Sequence, residues 1–237
     1  ARNIFGEVKN KITNGSSKDQ KIIDIEVEEK PTGEIAAGAG IGTNGGSFAF
    51  TVSENNWLGK GVNLSSNIQV SKETFTGGIF VNDPNYNFSG NSLNYFVSNT
   101  SNDKPKSGFK NNITTAGIGT KFEQYRNIYI APGISFSYDD LQVASTASTA
   151  LKKQKGTFSD LTLDYSITLD ERDKTYAPTD GYISSFSQAI PLYADSPYIK
   201  NTYALSKYQA LNPNAIGTFK LYLSAISGLN KKDVRIS

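Results

Sequence analysis

Residues 159–170, SDLTLDYSITLD, alternate between apolar and polar side chains along almost their whole length. One parity holds Leu161, Leu163, Tyr165, Ile167 and Leu169, and the other holds Thr162, Asp164, Ser166, Thr168 and Asp170. Successive side chains of a β-strand point to opposite faces, so a period of two predicts a strand with one apolar face and one polar face.

The same period recurs from Glu34 towards the end of the chain. GVNLSSNIQVS at 61–71 and NIYIAPGISFSYD at 127–139 repeat it clearly. Eight further segments follow it less regularly: Ile35–Ile41, Phe48–Val52, Phe75–Val81, Leu93–Val97, Ile113–Lys121, Tyr182–Leu192, Tyr198–Leu211 and Phe219–Ala225. With no helical period between them, these segments predict an all-β chain of about eleven antiparallel strands.

Two architectures fit such strands, a soluble sandwich and a transmembrane β-barrel. Several strands run about 10 residues or more, which is the length that crosses a bilayer at a tilt of about 45°. Aromatic residues lie at or near predicted strand ends, where they would form an interfacial girdle: Trp57, Phe75, Tyr129, Tyr138, Tyr182 and Tyr193. These features favour an antiparallel transmembrane β-barrel over a soluble sandwich.

The predicted connections differ in length. Short turns are expected at 43–46, 82–85 and 212–214, and longer polar connections at 98–108, 139–156 and 193–197. Connections that are short on one side of a sheet and long on the other are typical of an outer-membrane barrel.

The composition excludes several classes of function. With 24 basic and 22 acidic residues, the net charge of +2 predicts no nucleic-acid partner. The chain has no Cys and no His, which excludes Cys/His zinc sites and His-dependent nucleophiles. Asp170, Glu171, Arg172, Asp173 and Asp180 form the densest charge cluster, and we interpret it as an Arg-clamped turn rather than an acid/base pair. We therefore expect no enzyme activity, catalytic residue, cofactor or metal.

GIGTNG at 40–45 matches the dinucleotide fingerprint G-x-G-x-x-G. That fingerprint requires a helix after it, because the helix N-terminus holds the phosphates. The following segment, GSFAFTVSENNWLG, alternates as a strand does, so we reject nucleotide binding. Gly38, Gly40 and Gly42 instead share the polar parity of the first barrel strand, where glycine permits bending or close backbone approach.

Residues 1–30 form a separate unit. They predict the tail of a helix, a strand near Glu7–Ile12, a turn at Asn14–Gly15 and a strand near Lys21–Glu29. Pro31-Thr32-Gly33 then interrupts the pattern, and the unit is typical of the end of a small α/β module.

Two motifs resemble the BamA family of outer-membrane protein assembly factors, which are members of the bacterial surface antigen family. The first lies in EEKPTGEIAAGAGIGTNGGSFAFTVSENNWLGKGVNLSSNIQV and comprises Glu54, Asn55, Asn56, Trp57, Gly59 and Gly61. The second is the turn formed by Asp170, Arg172, Asp173, Pro178 and Gly181. The resemblance implies that residues 1–30 end the last POTRA module and that 31–237 begin a sixteen-stranded barrel. It also implies that the chain stops before the family's Val-Arg-Gly-Phe loop.

The resemblance further implies a function, which is the insertion of β-barrel proteins into the bacterial outer membrane. The first barrel strand would form a lateral seam through Glu34, Ile35, Ala37, Gly38, Ala39, Gly40, Ile41 and Gly42. Implied partners are nascent outer-membrane proteins, accessory Bam lipoproteins, periplasmic chaperones and the lipid bilayer, with the N-terminal segment in the periplasm. A polypeptide-translocating pore of the two-partner secretion type is the alternative. The residues also leave open an enzyme housed in a barrel and a soluble adhesive sandwich, and the lack of His counts against the enzyme.

Overall fold

The computed structural model describes residues 4–17, 19–42, 45–229 and 234. At the N-terminus, β1 (Phe5–Asn14) and β2 (Lys21–Glu29) pair as an antiparallel hairpin, apart from the main sheet. Both strands predicted for this unit are therefore confirmed, and β1 is longer than predicted. The predicted helix tail falls largely on residues 1–3, which lie outside the described residues.

The rest of the described chain forms one antiparallel sheet in which each strand pairs with its neighbours in sequence. Its eleven strands are β3 (Gly33–Gly42), β4 (Gly45–Trp57), β5 (Val62–Ser71), β6 (Thr74–Asp83), β7 (Ser92–Lys104), β8 (Phe109–Tyr125), β9 (Ile128–Val143), β10 (Gly156–Asp170), β11 (Asp180–Ala194), β12 (Tyr198–Asn212) and β13 (Ala215–Gly228). The sheet is not closed, and β3 and β13 lie at its two edges. The predicted all-β, antiparallel architecture is confirmed.

The strand register places the apolar side chains on one face of the sheet. Ile134 of β9 pairs with Leu163 of β10 and with Ile118 of β8, and the next pairs on this face are also apolar. Directly opposed residues share a face of the sheet, so the apolar side chains of neighbouring strands together form a continuous apolar surface. The other face carries mostly Ser, Thr, Asn and Gly.

The apolar face has no protein layer over it. The accessible surface is 16085 Å², whereas a compact soluble protein of 25.7 kDa exposes about 10,400 Å². Among the described residues, only Leu141 and Leu151 are buried hydrophobic side chains. Ile134 and Phe136 remain 45% and 47% exposed in the middle of the sheet. Such a surface is stable when lipid, rather than a protein core, covers it.

Several predicted connections are wrong because the strands extend beyond the segments in which apolar and polar side chains alternate. Gly45 and Gly46 belong to β4, and Thr43 and Asn44 lie outside the described residues. Asn82 and Asp83 end β6, so that connection is 84–91. The polar stretch 98–108 is mostly strand, because the pairing of β7 with β8 continues to Lys104 opposite Phe109. Hydrogen bonding between backbones extends these strands past the last apolar side chain.

The predicted contrast in connection length between the two ends of the sheet is also wrong. The end nearer to Gly33 has connections 58–61, 84–91, 126–127, 171–179 and 213–214, which we call the proximal rim. The other end has 72–73, 105–108, 144–155 and 195–197, which we call the distal rim; Gly42 and Gly45 lie at the same end. Each rim therefore combines short and long connections.

The longest connection, 144–155, contains a short helix, α1 (Thr149–Lys152), capped by Ser148. Leu151 of α1 is buried, and so are Asn111, Asp139 and Leu141 on the polar face of β8 and β9. The amide of Ala144 also donates to the carbonyl of Gly108 in the neighbouring hairpin. This connection thus folds inward over the polar face at the distal rim.

Across the described part of the chain, no helix is long and apolar enough to cross a membrane.

Candidate functional site

Strand β3 contains every residue predicted for the lateral seam, from Glu34 to Gly42. It pairs with β4 through ten consecutive residue pairs without a bulge, and it pairs with no other described strand. Its two faces follow the prediction, since Ile35, Ala37, Ala39 and Ile41 share the apolar face while the glycines share the polar face. The unpaired edge exposes a row of backbone N–H and C=O groups.

The glycines of β3 leave its polar face open. A Cβ placed on Gly38 or Gly42 would meet no described heavy atom within 4 Å, and one on Gly40 would meet only the hydroxyl of Ser47 at 3.3 Å. Among the described residues, no neighbour packs closely against Gly38 or Gly42. Glycine also lowers the conformational rigidity of the strand.

The start of β3 is attached to the end of β4 by a cluster of hydrogen bonds. The hydroxyl of Thr32 donates to the Glu54 carboxylate, which also accepts from the amide of Asn56 at 2.7 Å. The Asn55 amide group and backbone N–H both donate to the carbonyl of Thr32, at 3.2 Å each. We call Thr32, Glu54, Asn55 and Asn56 the junction cluster, because it joins the N-terminal segment to the sheet.

The Glu54 carboxylate thus accepts hydrogen bonds from both sides of the junction, from Thr32 just before β3 and from Asn56 near the end of β4. The alternation of apolar and polar residues did not predict this contact, because Thr32 and Glu54 are 22 positions apart in the chain.

The first family motif is only partly a turn. Glu54, Asn55, Asn56 and Trp57 end β4, where the register with β5 shifts between Glu54 and Trp57. The turn itself is 58–61, and the Asn56 side chain caps it by accepting from the amide of Gly61 at 2.7 Å. Gly59 and Gly61 have φ of 69° and 67°, a backbone conformation that favours glycine.

The second motif forms a clamped turn between β10 and β11. Arg172 donates two hydrogen bonds to Asp170, from Nε at 2.7 Å and from Nη2 at 2.6 Å. This bidentate pair lowers the pKa of Asp170 and raises that of Arg172. Arg172 also interacts with Tyr208 of β12, a contact that the alternation of the strands does not predict.

Asp173 closes the same turn from the other side. Its carboxylate accepts from the hydroxyl of Thr179 at 2.6 Å and from the amides of Thr179 and Asp180 at 2.9 and 3.1 Å. These bonds, led by that of the Thr179 hydroxyl, lower the pKa of Asp173 to about 2. Pro178 precedes Thr179 in the turn, and Gly181 follows with φ of 90°. The carboxylates thus act as hydrogen-bond acceptors within the turn.

The two motifs lie at the proximal rim but do not form one site. The junction cluster lies at β3 and β4, and the clamped turn follows β10, six strands further along the sheet. Within the described ranges, no group of three or more carboxylates has the geometry of a metal site. The junction cluster fixes the base of β3, which is one of the two edge strands of the described sheet.

The polar face of the sheet carries a shallow cavity of about 450 Å³ across β7–β12. Asp164 and Lys200 lie at its sides, and Asp164 accepts a hydrogen bond from Ser135 at 2.6 Å. Beside it, the rings of Phe80 and Phe96 stack with centroids 6.3 Å apart. In a closed barrel this face would line an aqueous lumen.

Comparison with known proteins agrees with this geometry. The profile of the Omp85 superfamily domain matches residues 56–237. The crystal structure of BamA from Haemophilus ducreyi lacking POTRA domains 1-3 superposes with a TM-score of 0.81 at 20% identity, covering 98% of this chain and 48% of that one. CdiB from Escherichia coli gives 0.62 at 15% identity, with 95% and 46% covered, and CdiB from Acinetobacter baumannii gives 0.52 at 10%, with 96% and 45% covered. The chain thus spans about half the length of these structures.

Proposed function

Because this chain belongs to the Omp85 superfamily, whose members are outer-membrane β-barrel proteins, we propose that it inserts other β-barrel proteins into the outer membrane. The edge of β3 would pair with a strand of the incoming protein and template its sheet. The observation that carries the proposal is the glycine-rich strand β3, whose base the junction cluster fixes to the end of β4.

Pairing through a strand edge suits an insertion factor that must accept many clients. Backbone hydrogen bonds supply the affinity and depend little on the side-chain sequence of the incoming strand. The burial of client side chains in lipid supplies the driving force, so the process needs neither a nucleotide nor a catalytic residue. We therefore propose a function that is not enzymatic.

The apolar band beside the edge strand is short. On β3 it runs from Ile35 to Ile41, and on β9 it runs from Ile128 to Tyr138. At about 3.3 Å per residue and a tilt of about 45°, these bands are roughly 16 Å and 26 Å tall. A short band locally thins the bilayer, which lowers the barrier to inserting a strand beside β3.

The alternative is a pore that passes a polypeptide through the lumen, as in two-partner secretion. The polar inner face would suit such a pore, because a hydrated lumen needs polar walls. The connection 144–155 counts against it, since it folds inward over the polar face at the distal rim and buries Leu151 there. A passing chain would have to displace this connection.

The N-terminal hairpin fits the proposed role as the end of a POTRA module in the periplasm. The proximal rim would then face the periplasm, and chaperones and accessory Bam lipoproteins would act on that side. The junction cluster would transmit the position of the module to the base of β3, because Thr32 is the last residue before the strand.

Disulfide capture in the full-length protein tests the proposal directly. Single cysteines at Ile35, Ala37, Ala39 and Ile41 would be oxidised in the presence of a stalled client that carries a cysteine in its last strand. Capture at one fixed register would support templating by β3. Capture of a translocating chain by cysteines on the polar face, at Asn63 or Asp164, with none on β3, would favour the pore.

A further inference from the structure

The distal and proximal rims differ in charge when each connection is taken with the two residues that flank it on either side. The distal rim holds seven lysines and three carboxylates: Lys72, Lys104, Lys106, Lys110, Lys152, Lys153 and Lys155 with Glu73, Asp103 and Asp195. The proximal rim holds four cations and five carboxylates: Lys60, Arg126, Arg172 and Lys174 with Asp83, Asp170, Glu171, Asp173 and Asp180. The excess positive charge thus lies at the distal rim.

Three of the distal lysines are near Glu73 in sequence or in space: Lys72 is adjacent in the chain, Lys104 forms an ion pair, and Lys106 lies two residues beyond Lys104. Lys104 forms an ion pair with Glu73 at 2.9 Å, and the amide of Asp103 donates to the carbonyl of Glu73 at 2.8 Å. These bonds join the β5–β6 hairpin to the β7–β8 hairpin. The hydrogen bond and the charge of Lys104 lower the pKa of Glu73 most, and the charges of Lys106 and Lys72 add to the same shift.

This group, Lys72, Lys104 and Lys106, is the lysine cluster. Glu73 balances one of its three charges, and among the described residues no ion pair within 4 Å engages Lys72 or Lys106. Both side chains are exposed. The cluster therefore presents two free cations on a scaffold that the hairpin contacts hold in place.

The height of the cluster matches a membrane surface. Val70 and Phe75 pair with each other on the apolar face and are 40% exposed. Lys72 follows Val70 by two residues, which is about 5 Å along the membrane normal for a tilted strand. Cations at this level lie beside lipid headgroups, and the apolar side chains below them lie beside acyl chains.

We infer that the lysine cluster binds phosphate groups of glycolipid headgroups in the leaflet that the distal rim faces. Ammonium groups bind phosphate as point charges, and a pair of them on adjacent hairpins can engage one headgroup together. The lysines at 152, 153 and 155 belong to a different connection, 144–155, and are not part of the lysine cluster. The inference rests on the membrane barrel and is independent of the insertion function.

The test measures glycolipid binding to the full-length protein in neutral detergent micelles by native mass spectrometry. The probes are lipid A and its dephosphorylated form. The variant K72Q/K106Q removes the two free cations and keeps the pair between Lys104 and Glu73, and K60Q/R126Q removes two cations from the proximal rim as a matched control. Folding of each variant is checked by the heat-modified shift of the barrel in gel electrophoresis.

The wild-type protein should bind the phosphorylated form at least tenfold more tightly than the dephosphorylated form. A lysine near an anionic surface contributes roughly fivefold, so K72Q/K106Q should lose about 25-fold at low salt, and the control should change less than about twofold. Equal binding of both lipids, or equal losses in variant and control, would overturn the inference. Competition by free glucosamine phosphate at matching concentration would show a site for soluble anions instead and would also overturn it.

Discussion

Gly181, in the clamped turn, should be the glycine whose replacement by alanine costs the most stability. Its φ of 90° is unfavourable for any residue with a Cβ. A Cβ there would lie 3.0 Å from the Cα of Arg172 and would overlap the carbonyl oxygen of Glu171. The substitution Gly181→Ala must therefore move the backbone as well as strain it.

The expected magnitude follows from the two bonds that flank this position. The amide of Glu171 donates to the carbonyl of Tyr182 at 2.8 Å, and the amide of Asp173 donates to the carbonyl of Asp180 at 3.2 Å. Loss of two backbone hydrogen bonds costs about 2 kcal/mol, and the left-handed conformation adds about 1 kcal/mol. Gly181→Ala should therefore lower the free energy of unfolding by about 3 kcal/mol.

Two other glycines separate these contributions. Gly59 has φ of 69°, and a Cβ added to it would meet no described atom within 4 Å, so Gly59→Ala should cost only about 1 kcal/mol. Gly42 has neither the strained φ nor a close neighbour, and Gly42→Ala should change stability by less than about 0.5 kcal/mol.

The assay is urea unfolding of the full-length barrel in lipid vesicles. The folded fraction is measured by the heat-modifiable mobility shift of the barrel in gel electrophoresis. All three variants need the same lipid, because bilayer thickness also changes barrel stability. If Gly181→Ala cost no more than Gly59→Ala, the turn would be able to relax without breaking its hydrogen bonds. The account of the clamped turn would then be wrong.

Three further outcomes are expected. Asp173→Asn should lower the free energy of unfolding at pH 7, as measured by urea titration. Folding lowers the pKa of Asp173 from 3.8 to about 2, so the greater stability of the wild type should be complete above pH about 4 and should disappear as the pH falls through about 2. Gly38→Val should leave barrel stability nearly unchanged but slow client insertion in a reconstituted assay, since it stiffens β3. Glu54→Ala should speed amide exchange at the start of β3, whereas Glu34→Ala should not, as measured by mass spectrometry.

Much of the fold was predictable because it depends on local patterns. Each strand has to carry an apolar side chain at every second position if one face is to meet lipid, and LTLDYSITL shows this directly. The first strand of the main sheet was equally clear, since residues 37–42 alternate glycines on the polar face with Ile and Ala on the apolar face. The order of the strands followed from the absence of helices between them.

The polar parts of strands were not predictable from this pattern. Residues 98–104 look like a connection because their outward side chains are polar, yet they continue β7. Alternation marks only the portion of a strand that meets lipid, whereas the strand ends where backbone pairing with its neighbour ends. For the same reason the lengths of the connections, and the expected contrast between the two rims, were wrong.

The sequence by itself determined the strand class, the strand order, the two faces and the position of the glycine-rich edge strand, because each depends on residues close together in the chain. Only the tertiary structure decided which distant residues meet, such as Thr32 with Glu54 and Lys104 with Glu73. Those contacts depend on the register between strands, which backbone pairing sets between residues that are 22 and 31 positions apart in the chain. The junction cluster and the lysine cluster therefore became visible only when the sheet was assembled.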